Sequence, residues 1–178
     1  SVSMKSIDIT GKRNIDKIQN VKIPERKDTE KWTFDESYFT YYKQIQVVNS
    51  LFLEQGLDQE LEQKTIVKRE INKKIKGYKA QDIQKELLDL KQLISLEQTI
   101  EKLVVSKLKC FYCKETCELL YKNVFANKQW TLDRIDNEHG HNYDNVVICC
   151  LECNVKRGDM DSGRFKRGKD IKIVSRLF

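Results

Sequence analysis

The sequence contains few of the residues that interrupt helices. Its 178 residues include one proline, Pro24, and seven glycines. Since proline and glycine are the strongest breaks in a helical pattern, long helices are expected. No apolar run approaches the roughly 20 residues that a membrane-crossing helix needs. We therefore predict a chain with long helices and no membrane partner.

Histidine is also scarce, and the excess of positive charge is small. The only two histidines are His139 and His141, so any chemistry that uses an imidazole depends on them. Lysine and arginine number 33 against 27 acidic residues, which gives a net charge of +6. This balance permits a nucleic-acid partner without requiring one. The length fits one domain, or one small domain with a helical extension.

Cysteine, by contrast, is well represented, with six residues. No apolar run follows the N-terminal residues, so we expect no signal peptide and an intracellular, reducing compartment such as the cytoplasm or nucleus. In such a compartment, C-x-x-C pairs indicate zinc rather than disulfides. The sequence has two such pairs, Cys110 with Cys113 and Cys150 with Cys153.

Four thiolates satisfy the tetrahedral preference of Zn²⁺ and leave no open coordination position. We therefore predict one structural zinc ion on these two pairs. The remaining cysteines, Cys117 and Cys149, are interpreted as buried bystanders, although either can in principle replace one of the four ligands.

The N-terminal part is predicted to be a flexible basic arm over residues 1–31, followed by a helical region over residues 32–107. Thr33 or Asp35 is the expected cap of the first helix, and Gly56 is expected to end it. One helix face is indicated by apolar residues at three- and four-residue steps: Tyr38, Tyr41, Ile45, Val48 and Phe52. Aromatic residues at helical spacing are more typical of a core than of a base-stacking surface.

Three further helices are predicted in this region. The first covers residues 58–76, has a strongly basic face and ends at Gly77. The next covers residues 82–93. The last begins at Ser95, where Ser95-Leu96-Glu97-Gln98 has the pattern of a capping box, and ends near Lys107.

The C-terminal part has the pattern of two strands and a helix. Residues 130–135 alternate in polarity as a strand does, residues 146–149 form a second short strand, and a helix starts at Cys150. Asp133 lies on the first strand and Asn154 near the start of the helix, so a zinc ion that holds the helix against the strands would bring them together. A carboxylate and an amide oxygen suit Mg²⁺ or Mn²⁺.

Several motifs in this part occur together. They are Cys110-x-x-Cys113, Leu132-Asp133-Arg134-Ile135-Asp136-Asn137, Gly140-His141, Asp144-Asn145-Val146-Val147 and Cys150-x-x-Cys153-Asn154. The combination, over residues 108–160, resembles the zinc-containing HNH endonucleases, a family of ββα-metal nucleases, and in particular HNH proteins of phages and large DNA viruses. The resemblance implies a treble-clef-like ββα-metal domain that hydrolyses phosphodiester bonds in duplex or branched DNA.

The resemblance also implies roles for individual residues. Asp133 and Asn154 would bind the catalytic Mg²⁺ or Mn²⁺, and Asn145 would fix the loop between the strands. Arg134 stands where the family usually has the histidine that acts as general base, and arginine cannot accept a proton at any useful pH.

Three alternatives to that missing base remain open. His141 or His139 accepts the proton of the attacking water, with His141 preferred because it lies four residues before Asn145. Otherwise the metal-bound water ionises without a base while Arg134 holds the phosphate. In the third alternative, the site only binds nucleic acid.

The sequence as a whole predicts an α+β chain, with a helical region followed by the zinc-stabilised domain and a basic tail over residues 161–178 that ends in a strand at 171–174. A zinc-stabilised nucleic-acid-binding module is the alternative to an endonuclease, and a structural adaptor is a third. A homodimer would suit the cutting of two strands, but no pattern requires one. The predicted contacts to nucleic acid are basic side chains: Arg134, Lys156, Arg157, Arg164, Lys166 and Arg167.

Overall fold

The structure, a computed structural model, describes residues 34–54 and 60–177. Within these ranges the fold is α+β, as predicted, with five helices and one antiparallel pair of strands. The predicted basic arm and the predicted helix end at Gly56 lie outside the described residues. The elements are α1 (Tyr41–Leu53), α2 (Leu61–Gln84), α3 (Leu96–Val105), β1 (Trp130–Arg134), β2 (Val146–Cys150), α4 (Leu151–Arg157) and α5 (Ser162–Arg176).

Helix α1 starts later than predicted, because two caps follow each other. Asp35 accepts a hydrogen bond from the backbone of Ser37 and caps a single 3-10 turn, Glu36–Phe39. Thr40 then accepts a hydrogen bond from the backbone of Lys43 and caps α1 itself. The helix buries Val47, Val48 and Leu51, whereas Phe52 from the predicted face is 48% exposed.

Helix α2 continues past Gly77, so the predicted end there is wrong. A glycine inside a helix costs about 1 kcal/mol relative to alanine, and the packing of Tyr78 and the burial of Asp82 beyond it offset that cost. The helix ends at Gln84 in a Schellman motif, in which Leu87 N–H donates to the carbonyl of Asp82 and Glu86, at a φ of 59°, donates to that of Ile83.

The predicted helix over residues 82–93 is also wrong, because α2 extends into its first turn. Its first three residues belong to α2, and the chain from residue 85 to 95 is turn and loop. Its proposed apolar stripe is largely in solvent, since Ile83 is 55% and Leu90 is 69% exposed. The capping box that opens α3 is confirmed: Gln98 N–H donates to Ser95 Oγ, and Ser95 N–H donates to Gln98 Oε1.

The predicted ββα unit is confirmed. Strand β1 pairs with β2 so that Trp130 faces Cys150 and Asp133 faces Val147. Cys150 ends β2 and caps α4 through its sulfur. Residues 119–125, which lead into β1, form neither a helix nor a strand.

The final strand predicted at 171–174 is wrong, because these residues belong to α5. Asp161 caps this helix by accepting a hydrogen bond of 2.9 Å from Arg164 N–H. None of the helices in the two described ranges is long and apolar enough to cross a membrane.

The helices and the hairpin share one core. Buried side chains of α1 to α3 are continuous with Tyr112, Trp130 and Ile148 in the C-terminal part. Gln44 of α1 is buried within this core, where it donates to the carbonyls of Tyr38 and Leu120 and accepts from Leu119 N–H. These bonds hold α1 against the segment that precedes β1.

Candidate metal centre and polar cavity

Four cysteine sulfurs converge at the junction of the 110–113 turn with the end of β2. The Sγ atoms of Cys110, Cys113, Cys150 and Cys153 all lie within 4.8 Å of one another, and those of Cys113 and Cys150 are 3.9 Å apart. Tetrahedral Zn²⁺ with Zn–S bonds near 2.3 Å places its sulfurs about 3.8 Å apart. The cluster therefore has the donor atoms and spacing to hold one structural zinc ion.

The backbone builds this cluster from two similar turns. Cys113 N–H donates to Cys110 Sγ, and Cys153 N–H donates to Cys150 Sγ. Lys114, at a φ of 64°, reverses the chain after the first pair. Hydrogen bonds within the cluster, that of Cys113 first, hold the pKa of Cys110 well below its usual range. Hydrogen bonding with Cys110 in turn raises the pKa of Cys150 and of Cys153. Because a metal ligand must be a thiolate, zinc binding at this cluster would release protons.

The two remaining cysteines lie outside the four-sulfur cluster. Cys117 is buried beside Cys110, and the hydrogen bond between them, followed by burial, raises the pKa of its thiol. Cys149 is directed to the opposite side of β2, where its sulfur lies 3.2 Å from Thr131 Oγ1. Both are buried thiols, in agreement with their interpretation as bystanders.

A second site lies on the other side of the hairpin, in a cavity of about 570 Å³ between the C-terminal half of α2, β1 and α4. Four of the predicted site residues line it: Asp133, Arg134, His141 and Asn154. The facing wall consists of Lys74, Tyr78 and Gln81 of α2, together with Lys85 just after its end.

Asp133 is buried and already has two partners. Its Oδ2 atom accepts a hydrogen bond of 2.5 Å from the Tyr112 hydroxyl and one of 2.8 Å from Arg157 Nη1. Its Oδ1 atom accepts no hydrogen bond from any residue that the structure describes, so one carboxylate oxygen remains available as a ligand.

Arg157, which the sequence predicted as a contact to nucleic acid, is a buried structural residue in this arrangement. The side chain is 1% exposed. Besides Asp133, the guanidinium donates to the carbonyls of Arg134, Ile135 and Met160. A planar guanidinium has five N–H donors, and bonds within the protein engage all three of its nitrogens. The group is therefore not presented to a phosphate.

Asn154 lies in the cavity wall one turn into α4. Its Nδ2 atom donates to Thr131 Oγ1 at 3.1 Å and to the carbonyl of Leu132 at 3.4 Å. Both donors of the amide are thereby committed to β1, which leaves the amide oxygen as its available group. A carboxylate oxygen and an amide oxygen therefore border the same cavity.

The loop between the strands is held from inside by Asn145. Its Oδ1 accepts from Asp136 N–H, and its Nδ2 donates to the carbonyls of Asp136 and Gly140. Arg134 supports the same loop from the cavity side, with Nη1 donating to the carbonyls of Asn137 and His139.

The two histidines of the loop occupy different environments. His139 is exposed, and its Nδ1 pairs with Asp136 at 2.8 Å. His141 is 4% exposed, lines the cavity, and places Nδ1 2.7 Å from Asp82 Oδ1. Burial lowers the pKa of His141 from its ordinary value of 6.5, and the hydrogen bond to Asp82 opposes that shift.

Three residues of this site were not identified from the sequence. Asp82 and Tyr78 belong to α2 and precede His141 by 59 and 63 residues, and no local pattern connects them to it. Tyr112 lies between the first two cysteines, and the C-x-x-C pattern itself assigns no role to its side chain. Its hydroxyl donates to Asp133 and lies 2.8 Å from Ser162 Oγ, and burial raises its pKa.

The predicted basic contacts outside the cavity are on the surface. Lys156 is exposed and pairs with Glu152 at 2.6 Å. On α5, Arg164 and Arg167 are exposed, while Lys166 pairs with Asp170 at 3.0 Å. Of the six predicted nucleic-acid contacts, only Arg134 lines the cavity.

Comparisons of the chain with models of protein families, with curated proteins and with solved structures find no match. The interpretation of the site therefore depends on its geometry and on the motif itself.

Proposed function

We propose that the protein is a metal-dependent DNA endonuclease of the HNH type, which hydrolyses phosphodiester bonds in the polar cavity. The observation that supports it is the composition of one cavity wall: a carboxylate, an amide oxygen, a buried histidine and an arginine. These are the groups that binding and hydrolysis of a phosphodiester need, and they lie beside a four-cysteine cluster that fits zinc.

The cysteine cluster has a structural role in this proposal. Four protein ligands leave zinc no position for water or substrate. The ion would join the 110–113 turn to the start of α4, and α4 carries Asn154. Zinc therefore acts on catalysis only by fixing where Asn154 lies relative to β1.

Asp133 Oδ1 and the Asn154 amide oxygen are the proposed ligands of a catalytic Mg²⁺ or Mn²⁺. Both are hard oxygen donors, which these ions prefer. Such an ion supplies positive charge to the phosphate as negative charge develops on it. Because Arg157 already neutralises Asp133, we expect this site to bind the ion more weakly than a site with two unpaired carboxylates.

His141 is the proposed general base. A buried imidazole with a lowered pKa is neutral at pH 7 and can take the proton of the attacking water. The water oxygen then bonds to phosphorus, the bond from phosphorus to a sugar oxygen breaks, and that oxygen takes a proton from solvent. Arg134, which borders the same cavity, is the proposed contact to the scissile phosphate.

The proposal is tested by incubating the zinc-loaded protein with supercoiled plasmid and with a branched DNA, in buffer with Mg²⁺, in buffer with Mn²⁺ and in buffer with neither ion. We expect cleavage that depends on the divalent ion and is lost in Asp133→Asn. Asp159→Asn, which changes an exposed carboxylate at the rim of the same cavity, is the matched control and should cleave as the wild type does. No cleavage by the wild type, or equal cleavage by Asp133→Asn, would exclude the enzyme.

A nucleic-acid-binding module without catalysis is the second candidate, and the Asp133–Arg157 pair favours it. In this pair, Arg157 neutralises the Asp133 carboxylate without any added ion. In that case the protein should bind DNA without added Mg²⁺ or Mn²⁺, with an affinity that falls steeply as the salt concentration rises, and should not cleave it.

A further inference from the structure

We propose that Asp82, on α2, is a positioning residue that holds His141 in the tautomer protonated on Nδ1, so that Nε2 is the nitrogen offered to the cavity. This inference rests on the proposed function for its catalytic consequence. It extends the site into the helical region, which the motif does not include.

The Asp82 carboxylate receives two hydrogen bonds from the same residue. Oδ2 accepts from the backbone N–H of His141 and Oδ1 lies by its ring Nδ1, both at 2.7 Å. Asp82 is 1% exposed, so water does not compete for either oxygen. Since an ionised carboxylate can only accept, the proton between Asp82 and Nδ1 belongs to the ring. A neutral ring protonated there carries its lone pair on Nε2.

The surrounding packing supports this position of the ring and of the loop that carries it. Tyr78 stacks on His141 with 4.5 Å between ring centroids, and the Tyr78 hydroxyl is itself fixed by Leu132 N–H at 3.0 Å. A Cβ at Gly140 would lie 2.7 Å from Asp82 Oδ2 and 2.8 Å from the carbonyl oxygen of Leu87. Only glycine at position 140 lets the loop approach the end of α2 this closely.

The other charged groups near the ring explain why the tautomer matters. On β1, Arg134 lowers the pKa of His141 and Asp133 raises it. Asp82, on α2, also raises it. Asp82 is the only one of the three that hydrogen-bonds to the ring among the described residues. It therefore determines which nitrogen is the base, while the two β1 residues affect only how basic it is.

The test is Asp82→Asn in the full-length, zinc-loaded protein. Asparagine has the shape of aspartate but only one acceptor oxygen. Its NH₂ group must therefore face either the backbone N–H or the ring Nδ1 of His141. Side-chain ¹⁵N NMR of His141 should show the Nδ1-protonated tautomer in the wild type and a shift toward the Nε2-protonated tautomer in the variant. His139→Gln assigns the signals, and Asp144→Asn, an exposed carboxylate of the same loop, should leave them unchanged.

Cleavage kinetics provide the second readout. Removing a residue that orients a functional side chain typically costs about 10- to 100-fold in activity, and we expect that loss in kcat with KM unchanged. An Nε2-protonated His141 in the wild type overturns the proposal even if Asp82→Asn does not fold. Cleavage by a folded Asp82→Asn at the wild-type rate also overturns it. Correct tautomers with no cleavage by the wild type would support the positioning role of Asp82 and reject the endonuclease.

Discussion

The ion pair that Asp133 forms and the metal binding proposed for it would compete for the same charge. One oxygen lies in a buried ion pair with Arg157, and the other is the proposed metal ligand. A buried carboxylate without a partner is costly, because its lost hydration is not replaced. The ion pair therefore allows the carboxylate to exist inside the protein, at the cost of weaker attraction for a divalent ion.

This pair makes a prediction about stability. Replacing Arg157 by methionine leaves Asp133 buried without its cation, so the free energy of unfolding should fall by about 3–5 kcal/mol. Lys156→Met is the matched control. It removes an exposed pair on the same helix and should cost at most about 1 kcal/mol. Urea denaturation of the zinc-loaded protein measures both, and equal losses would contradict the structural role of Arg157.

His141 makes a prediction about pH. Because burial lowers its pKa below 6.5, the ring is neutral at pH 7 and gains a proton only in more acidic solution. The cleavage rate should therefore be insensitive to this group above pH 6.5 and fall as the pH decreases below it. The unfolded chain takes up the proton first, so stability should also decrease in that range.

Rate and stability profiles of two variants separate the histidines. His141→Asn should abolish most of the activity and remove the contribution of this group to the loss of stability in acid. His139→Asn, which changes the exposed histidine, should keep the wild-type profile. An unchanged profile in His141→Asn would show that another group is the base.

At the scale of the elements, two glycines have opposite requirements. Gly77 lies within α2, and a Cβ there would meet no atom within 4 Å. Gly140 lies where the loop contacts Asp82, and a Cβ there would meet two oxygens at less than 3 Å. Gly77→Ala should raise the free energy of unfolding by about 0.5–1 kcal/mol through helix propensity.

Gly140→Ala should do the reverse, because the loop must move away from α2. We expect lower stability and the loss of the His141 NMR signature described above. Thermal unfolding of the two variants beside the wild type measures the contrast. A neutral Gly140→Ala would mean that the loop does not approach α2 as closely as the structure has it.

The elements that the sequence predicted are those whose signals are local. Alternating polarity in β1, the Ser95–Gln98 capping box and the start of α4 at Cys150 each depend on neighbouring residues. The continuation of α2 past Gly77 depends instead on the packing of Tyr78 against a loop 63 residues later, and a single sequence contains no pattern for that contact. The tail was predicted as a basic extension because of its composition, whereas the structure has α5 there. Asp161 is a suitable helix cap, but this residue alone did not indicate a helix.

At the scale of the whole molecule, the cavity is formed by two regions that the sequence analysis treated separately. The motif predicted Asp133, Asn154 and the histidine, because these lie in or beside the ββα unit. It could not predict the facing wall, which α2 supplies, or the buried position of Arg157, which follows from three carbonyls that the fold brings together. The helical region is thus part of the site and not only a neighbour of it.

The four-cysteine cluster makes a prediction about metal content. One zinc ion per chain is expected, and its removal should release α4 from the 110–113 turn and destabilise the C-terminal part. Elemental analysis and circular dichroism before and after strong chelation measure this. Cys113→Ala should lose the zinc, whereas Cys149→Ala should retain it. Retention of zinc by Cys113→Ala would contradict the four-cysteine cluster.

In the proposed function, one chain holds two ions of different chemistry, zinc on sulfur and a divalent ion on oxygen. The most direct measurement is a crystal structure of the zinc-loaded protein soaked in Mn²⁺, with anomalous diffraction recorded at the edges of both metals. Our account predicts zinc among the four cysteines and manganese between Asp133 and Asn154, with His141 facing the same cavity. Manganese absent from the cavity at concentrations that saturate other Mn²⁺ enzymes would contradict the account.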